Sequence, residues 1–308
     1  MDPSLFHLFG LEALLDAPSL PELVPTFASA ALTIESAGKR LRLGTVTGDQ
    51  QAAMLGLGCR RVGDVAINYG TGAFVLESSG SRRADVPGLL TTLLASWPFA
   101  GARPARRRAP DPNSLYAVEG TVNAAATAIE WAEARLGLRV PVEDLDAYLR
   151  RSRSSRRDVH FLPAVAGLGA PHWDASARPR FAGDHRGASS RRLLLAVVES
   201  IACRCAEILR TAVDATDHRK RERSIVVAGG LTRCRTLLQA QADLLQRPLL
   251  LRDSVDATVL GAALLARPVS TGRIPRGGAG GGLLIRPRIS RDEAEGRFAA
   301  WSKAVYGA

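Results

Sequence analysis

Glycine turns at the ends of short apolar segments constrain the fold of this chain more than any other feature of its sequence. Two strand-like segments, residues 65–69 and 73–77, flank the turn Gly-Thr-Gly at 70–72. A third apolar segment, residues 225–228, leads into two consecutive glycines at 229–230. Strands that end at glycine turns and alternate with helices predict an α/β fold.

Helical periodicity marks several of the remaining segments. Apolar residues recur at helical spacing, a glycine follows the first such segment at 137, and two serines at 189–190 are cap candidates for the second. We expect helices at residues 121–136, 190–213, about 232–245 and 257–266, and a final helix that carries Phe298, Trp301 and Val305. The first 45 residues are predicted to be irregular. Loops are expected at 98–114 and 277–282, the latter as a glycine-rich linker.

Composition excludes several classes of protein. Of the 308 residues 46% are hydrophobic and 23% are charged, which rules out a disordered, collagen-like or coiled-coil chain. No apolar run reaches the roughly 18 residues of a membrane helix, and residues 1–4 show no signal pattern. Four cysteines in a chain of this length do not make a disulfide scaffold. We expect a cytoplasmic protein without a membrane partner.

Arginine supplies almost all of the positive charge. The chain has 41 lysines and arginines against 30 acidic residues, a net charge of +11, but only three lysines. Arginine runs at 106–108 and within 150–157 have the charge that neutralises nucleic-acid phosphates, but they lack the interleaved aromatic residues that stack on bases. A solvated basic surface is the favoured interpretation, and nucleic acid is an unlikely partner.

Three turns carry residues suited to chemistry. Asp49 follows a glycine just before an apolar helix, where a carboxylate accepts a substrate proton, helps to hold a metal, or caps the helix. The Gly-Thr-Gly turn at 70–72 suits a terminal phosphate but equally a plain hairpin. The glycine pair at 229–230 suits a flat ring or phosphate at a helix start, or is an ordinary strand-to-helix turn. The five histidines show no zinc spacing with the cysteines.

The order of these turns along the chain resembles the C-terminal half of the FGGY carbohydrate kinases. The resemblance covers nearly the whole chain, and its Gly-Ala-Pro-His-Trp-Asp stretch is most similar to the glycerol kinases. It rests on residues 48–53, 69–72, 167–174 and 229–232, with support from 116–120, 257–263 and 301–305.

This resemblance implies an α/β fold of the actin-like ATPase (ribonuclease H-like) type, with a mixed sheet flanked by helices. Residues 1–58 are expected to be the C-terminal remnant of the N-terminal lobe, and residues 59–308 the C-terminal, nucleotide-binding lobe. ATP and Mg²⁺ are the implied cofactors. A small polyol or sugar is the implied substrate, and a separate N-terminal lobe or a second copy of the chain is a possible partner.

The same resemblance assigns roles to individual residues. Asp49 is expected to be the catalytic base and to share the metal, and Gln50 and Phe74 to contact the polyol. The expected nucleotide-binding residues are Gly70, Thr71, Gly72, Ala126, Glu130, Gly229, Gly230 and Cys234. Three of these depart from the family pattern: Ala126 and Glu130 replace Gly and Gln, and Cys234 replaces Asn.

The sequence therefore predicts ATP-dependent phosphorylation of a polyol or sugar hydroxyl. Because half a cleft neither excludes water nor holds both substrates, we expect this chain to show no kinase activity alone. The alternative is a non-catalytic remnant or interaction protein that keeps the fold of the lobe. An arginine-rich nucleic-acid-binding protein is a third, less favoured function.

Overall fold

A computed structural model describes residues 3–14, 25–26, 33–96, 114–150, 158–216, 224–252, 256–266 and 281–307. Among these residues the strands are β1 (Thr33–Ser36), β2 (Lys39–Arg42), β3 (Val65–Tyr69), β4 (Ala73–Gly80), β5 (Leu90–Ser96), β6 (Ser114–Val122), β7 (Val159–Leu162), β8 (Arg180–Gly183), β9 (Ile225–Ala228), β10 (Leu249–Arg252) and β11 (Gly282–Ile285). The helices are α1 (Pro3–Leu8), α2 (Asp49–Gly56), α3 (Ala126–Leu136), α4 (Val142–Arg150), α5 (Ser190–Thr216), α6 (Arg235–Leu245), α7 (Ala257–Ala266) and α8 (Arg291–Tyr306). Short 3-10 helices cover Glu12–Leu14 and Gly230–Arg233.

Seven strands form one mixed sheet in the order β11-β10-β9-β3-β4-β6-β5. Strands β3, β9 and β10 are parallel, and the other pairings in this sheet are antiparallel. Strands β1–β2 and β7–β8 form two separate antiparallel pairs. The predicted hairpin of β3 and β4 around the Gly-Thr-Gly turn is confirmed, with Tyr69 opposite Ala73.

Alternating side chains on β3 show how the sheet is covered on both faces. Val65, Ile67 and Tyr69 point into a large apolar core shared with α3, α5 and α6. Ala66 points into a smaller core shared with α2 and the start of α7. The period of two in a strand sends successive side chains to opposite faces, so both cores are built from the same strands.

Helices α2 and α7 approach so closely that only glycine fits at two contact points. A β-carbon on Gly56 would overlap the carbonyl oxygen of Ala257, and one on Gly261 would overlap that of Ala52. This contact fixes α2, the helix that begins at Asp49, against the face of the sheet.

Helix α5 crosses the opposite face and is tied to its surroundings by a buried charge. The Arg204 side chain is 1% exposed. Its guanidinium donates to the Ala170 carbonyl oxygen and the Tyr306 hydroxyl, and it pairs with the Glu207 carboxylate. The arginine therefore joins α5 to the loop before β8 and to α8. No helix in the described part of the chain is both long and apolar enough to span a membrane.

Most predicted elements are present, with three corrections. The helix expected at 121–136 begins at Ala126, because Thr121 and Val122 pair with β4 and continue β6. The helix expected from about 232 is a 3-10 turn that gives way to α6 at Arg235. Gly282 belongs to β11 and not to a linker. Most of the loops expected at 98–114 and 277–282 lies outside the described residues.

The N-terminal region contains more regular structure than expected. Helix α1 and the exposed hairpin β1–β2 lie within the first 45 residues, which were predicted to be irregular. The expected lobe boundary at residue 58 falls in the connection between α2 and β3, and it stays a prediction. All four cysteines are buried and free, consistent with the absence of a disulfide scaffold.

Candidate active site

Asp49 is the first residue of α2, and its carboxylate is exposed to solvent. Gly48 is the N-cap and has no side chain to cap the helix. Asp49 Oδ1 accepts from the Gln50 backbone N–H at 2.8 Å, and Asp49 Oδ2 lies 3.3 Å from Gln50 Nε2. A carboxylate at a helix N-terminus is stabilised by the free amides there. Asp49 thus satisfies one helix amide while its carboxylate still faces solvent.

Asn68, a residue of β3 for which no role was predicted, connects Gln50, the neighbour of Asp49, to the sheet. Its side-chain amide donates to Gln50 Oε1 at 3.2 Å. Phe74 lies directly opposite Asn68 in the β3–β4 ladder and is half-buried on the same face. Asp49, Gln50 and Phe74 therefore belong to one region on the α2 side of the sheet. The sequence feature that could have identified Asn68 is its position two residues before Gly70.

The Gly70–Gly72 turn is held from behind by the start of α3. The Thr71 carbonyl oxygen accepts from the backbone N–H of Ala125 at 2.9 Å, and the Gly70 carbonyl oxygen accepts from that of Ala126 at 3.2 Å. A β-carbon on Gly72 would lie 2.6 Å from the Val122 carbonyl oxygen. With its carbonyls engaged, the turn leaves the Thr71 side chain exposed as a donor toward solvent.

The second glycine turn, Gly229–Gly230, packs directly against the end of β3. Gly229 has a φ of +98°, and a β-carbon there would overlap the Tyr69 carbonyl oxygen and lie 2.7 Å from Asn68 Oδ1. Gly230 is the opposite case, because a β-carbon there meets nothing within 4 Å. The pair therefore combines one glycine required by the fold with one that borders open space.

The three positions that depart from the family pattern lie in different surroundings. Ala126 is the first residue of α3 and is half-buried, and Glu130 is exposed one turn further along that helix. Cys234 is the N-cap residue of α6, but its side chain is fully buried in the large core. Burial raises the pKa of this thiol to about 11. The structure therefore places the Cys234 side chain away from the exposed turns.

Three further residues lie where the start of α2 meets the edge of the sheet, and no role was predicted for any of them. Gln51 Nε2 donates to Thr92 Oγ1 at 2.7 Å. Glu119 on β6 is the diagonal neighbour of Thr92 on the same face of the sheet. Burial and the Asp49 charge raise the pKa of Glu119, while the Thr92 hydroxyl lowers it. Gln51 and Glu119 lie in segments that carry the family resemblance, residues 48–53 and 116–120, whereas Thr92 does not.

The residues present fit a nucleotide and Mg²⁺ together. The open space at Gly230 and the exposed Gly70 and Thr71 leave room for phosphates beside backbone amides. Mg²⁺ is bound in such sites by one or two carboxylates together with substrate phosphates, and Asp49 is placed to provide one. Within the described residues no group of three or more His, Cys, Asp or Glu side chains forms a metal cluster of its own.

Comparison with known proteins identifies the family of this fold. Residues 65–267 match the family model for the C-terminal domain of the FGGY family of carbohydrate kinases. The chain therefore belongs to the FGGY family.

Curated relatives of this chain are glycerol kinases. It is 36% identical to the glycerol kinase of Alkalilimnicola ehrlichii and 33% identical to that of a Geobacter species, and in each comparison 99% of the chain aligns with 58% of the relative. The chain thus spans less than two thirds of the length of these relatives.

Solved structures show the same fold. The glycerol kinase of Plasmodium falciparum with ADP superposes with a TM-score of 0.77 at 21% identity, over 99% of this chain and 59% of that one. The gluconate kinase of Lactobacillus acidophilus gives a TM-score of 0.73 at 18% identity. The expected actin-like fold, a mixed sheet flanked by helices, is confirmed.

Proposed function

We propose that this chain supplies the base and the phosphate-facing half of an ATP-dependent kinase for a polyol or sugar hydroxyl, with glycerol as the first substrate to test. The observation that carries this proposal is the position of Asn68. It hydrogen-bonds Gln50 beside Asp49, it precedes the Gly70–Gly72 turn by two residues, and its Oδ1 approaches Gly229. One residue thereby connects all three turns.

The proposed chemistry assigns one task to each turn. Asp49 takes the proton of the substrate hydroxyl, whose oxygen attacks the γ-phosphorus while the bond to the bridging oxygen of ADP breaks. Thr71 and the amides of its turn orient the γ-phosphate, and Gly230 borders the nucleotide. Gln50 and Phe74 hold the polyol beside the base. Mg²⁺, when bound, neutralises phosphate charge, and Asp49 is the residue that would share it.

Turnover is proposed to need more than these residues. About two fifths of each relative's length lies outside the part that this chain matches, since 99% of the chain matches 58% of each. Phosphoryl transfer depends on holding both substrates in line and away from water, which an open half-site does not do. We therefore propose that the chain alone binds nucleotide but does not phosphorylate glycerol.

One observation favours the alternative, a lobe that keeps the fold without catalysis. Glu130 places an exposed carboxylate on α3, four residues after Ala126, whose amide hydrogen-bonds the Gly70 carbonyl of the phosphate turn. A negative charge near the nucleotide would oppose phosphate binding. If the Glu130 charge prevents nucleotide binding, Glu130→Gln restores an affinity that the unmodified chain lacks.

Calorimetry with MgATP and MgADP separates the two functions. We expect saturable heat for the wild-type chain, abolished in Gly230→Val, whose side chain would fill the open space beside the turn. Gly296→Val is the matched control, because a β-carbon at Gly296 also meets nothing within 4 Å but lies on α8. No heat at millimolar nucleotide for both the wild type and Glu130→Gln would contradict the kinase proposal.

A further inference from the structure

A side-chain hydrogen bond ties the start of α2 to the edge strand of the sheet. Gln51, two residues after Asp49, donates from Nε2 to Thr92 Oγ1 at 2.7 Å. Thr92 lies on the edge strand β5, next to β6. The start of α2 is therefore connected to the edge of the sheet just behind Asp49.

The donor and acceptor fix the direction of this bond. An amide N–H of Gln51 can only donate, so Thr92 Oγ1 accepts it. The sheet register also places Glu119 of β6 beside Thr92. Leu90 lies opposite Glu119 and Thr92 lies opposite Ala117, so Thr92 and Glu119 are diagonal neighbours on the same face.

Gln51 also makes contact with the turn that presents Asp49. Its Oε1 occupies the space where a β-carbon on Gly48 would lie. One end of the Gln51 amide therefore rests on the Gly48 backbone, and the other end is bonded to Thr92. Because Gly48 has no side chain to cap α2, the first turn of the helix depends on contacts of this kind.

The other contacts at the start of α2 are longer. Asn68 reaches Gln50 Oε1 at 3.2 Å, and the Thr258 hydroxyl lies 3.4 Å from the Asp49 carbonyl oxygen. The Gln51–Thr92 bond at 2.7 Å is the shortest of the three.

We propose that Thr92 is a positioning residue for Asp49: by accepting the hydrogen bond of the Gln51 side chain, it fixes the turn that presents the catalytic carboxylate. The proposal rests on the proposed function of Asp49 as the base. Thr92 contacts neither substrate nor nucleotide in this account. Its effect passes through Gln51 and the backbone of Gly48.

Amide hydrogen exchange of the full chain tests the positioning without any turnover. In Thr92→Val we expect the amide of Ala52, which donates to the Gly48 carbonyl oxygen at 2.9 Å, to exchange about fivefold faster, the effect of one lost hydrogen bond. Thr92→Ser keeps the hydroxyl and should restore the wild-type rate. Thr91→Val is the matched control, because it removes a hydroxyl bond to Ala84 on the same strand.

A second pair of variants guards against misfolding of Thr92→Val. Gln51→Glu keeps a side-chain oxygen that can accept from the Thr92 hydroxyl, and it should leave the Ala52 protection factor within twofold of wild type. Gln51→Leu removes the bond to Thr92 and should lower the protection of Ala52 as Thr92→Val does. Ala52 protection in Thr92→Val and Gln51→Leu that matches that of Thr91→Val overturns the proposal.

Steady-state kinetics then connects positioning to the reaction. With the N-terminal part of a relative joined upstream of this chain, Thr92→Val should lower kcat at least tenfold while KM for ATP changes less than twofold, and Thr92→Ser should recover kcat. An unchanged kcat in Thr92→Val overturns the proposal. If the unmodified fusion has no glycerol-dependent activity, the proposed function fails, and the exchange rates still decide whether Thr92 holds the turn.

Discussion

Gly229 lies so close to Tyr69 that a β-carbon at position 229 would overlap the Tyr69 carbonyl oxygen. The contact joins the turn after β9 to the end of β3, immediately before the Gly70–Gly72 turn. Gly229 also has a φ of +98°, a region that side-chain-bearing residues rarely adopt. The two glycine turns of the candidate site are therefore held together by a contact that tolerates no side chain.

We expect Gly229→Ala to lower the free energy of unfolding by about 2–4 kcal/mol, because it adds both backbone strain and a steric overlap. Gly230→Ala, one residue further, should change it by less than about 0.5 kcal/mol, since the new β-carbon meets open space. Urea unfolding of the two variants measures the difference. Equal stabilities would show that the close approach to Tyr69 is not required.

The contact between α2 and α7 leads to a second prediction. Gly261→Ala would push a methyl group into the Ala52 carbonyl oxygen, and overpacking of this kind costs about 1–3 kcal/mol, more than the roughly 1 kcal/mol that alanine gains in helix propensity. Gly296→Ala on α8 has open space and should instead raise stability by about 0.5–1 kcal/mol. Thermal unfolding distinguishes the two signs, and a stabilised Gly261→Ala would contradict the close helix packing.

Glu119 makes the free energy of unfolding depend on pH, in a direction that its raised pKa fixes. Burial, and secondarily the Asp49 charge, raise its pKa above the ordinary value of 4.5, so the folded state favours the protonated form. The stability associated with this proton is fully present below pH 4.5 and is lost as the pH rises through the folded-state pKa.

Glu119→Gln removes this penalty with almost no change in the size of the side chain. Its Tm should exceed that of the wild type at pH 7, and the gap should close as the pH falls to 4. Glu130→Gln, which removes an exposed carboxylate on α3, serves as the control. A Tm gap for Glu119→Gln that is constant from pH 4 to pH 8 would count against a half-buried charge at Glu119.

Local glycine and helix chemistry was enough to predict much of this fold. The β3 and β9 segments and helix α7 have the predicted bounds, because apolar alternation and flanking glycines mark them within a few residues. The predicted start of α3 was wrong because Val122 and Ala125 have helical spacing to the apolar residues that follow them. Pairing of Val122 with Ala73 in the sheet overrides that pattern.

The contacts that complete the site could not be predicted in the same way. Gln51 and Thr92 are 41 residues apart, and the buried bond from the Tyr69 hydroxyl to Gln241 spans 172 residues. Such pairs depend on strand order and register, which no local pattern in the sequence encodes. Cys234 illustrates the same limit: the resemblance selected the position, but its place in the core became visible only with the packing of α6.

Transfer of the γ-phosphate from ATP to glycerol tests the central claim most directly. The N-terminal part of the Alkalilimnicola ehrlichii glycerol kinase, joined upstream of this chain, would supply the portion of the relative that the chain does not cover. We predict glycerol-dependent formation of ADP and glycerol phosphate by this fusion, a loss of at least about a thousandfold in Asp49→Asn, and no transfer by the chain alone. Transfer that survives in Asp49→Asn, or none from a folded fusion that binds ATP, would contradict the account.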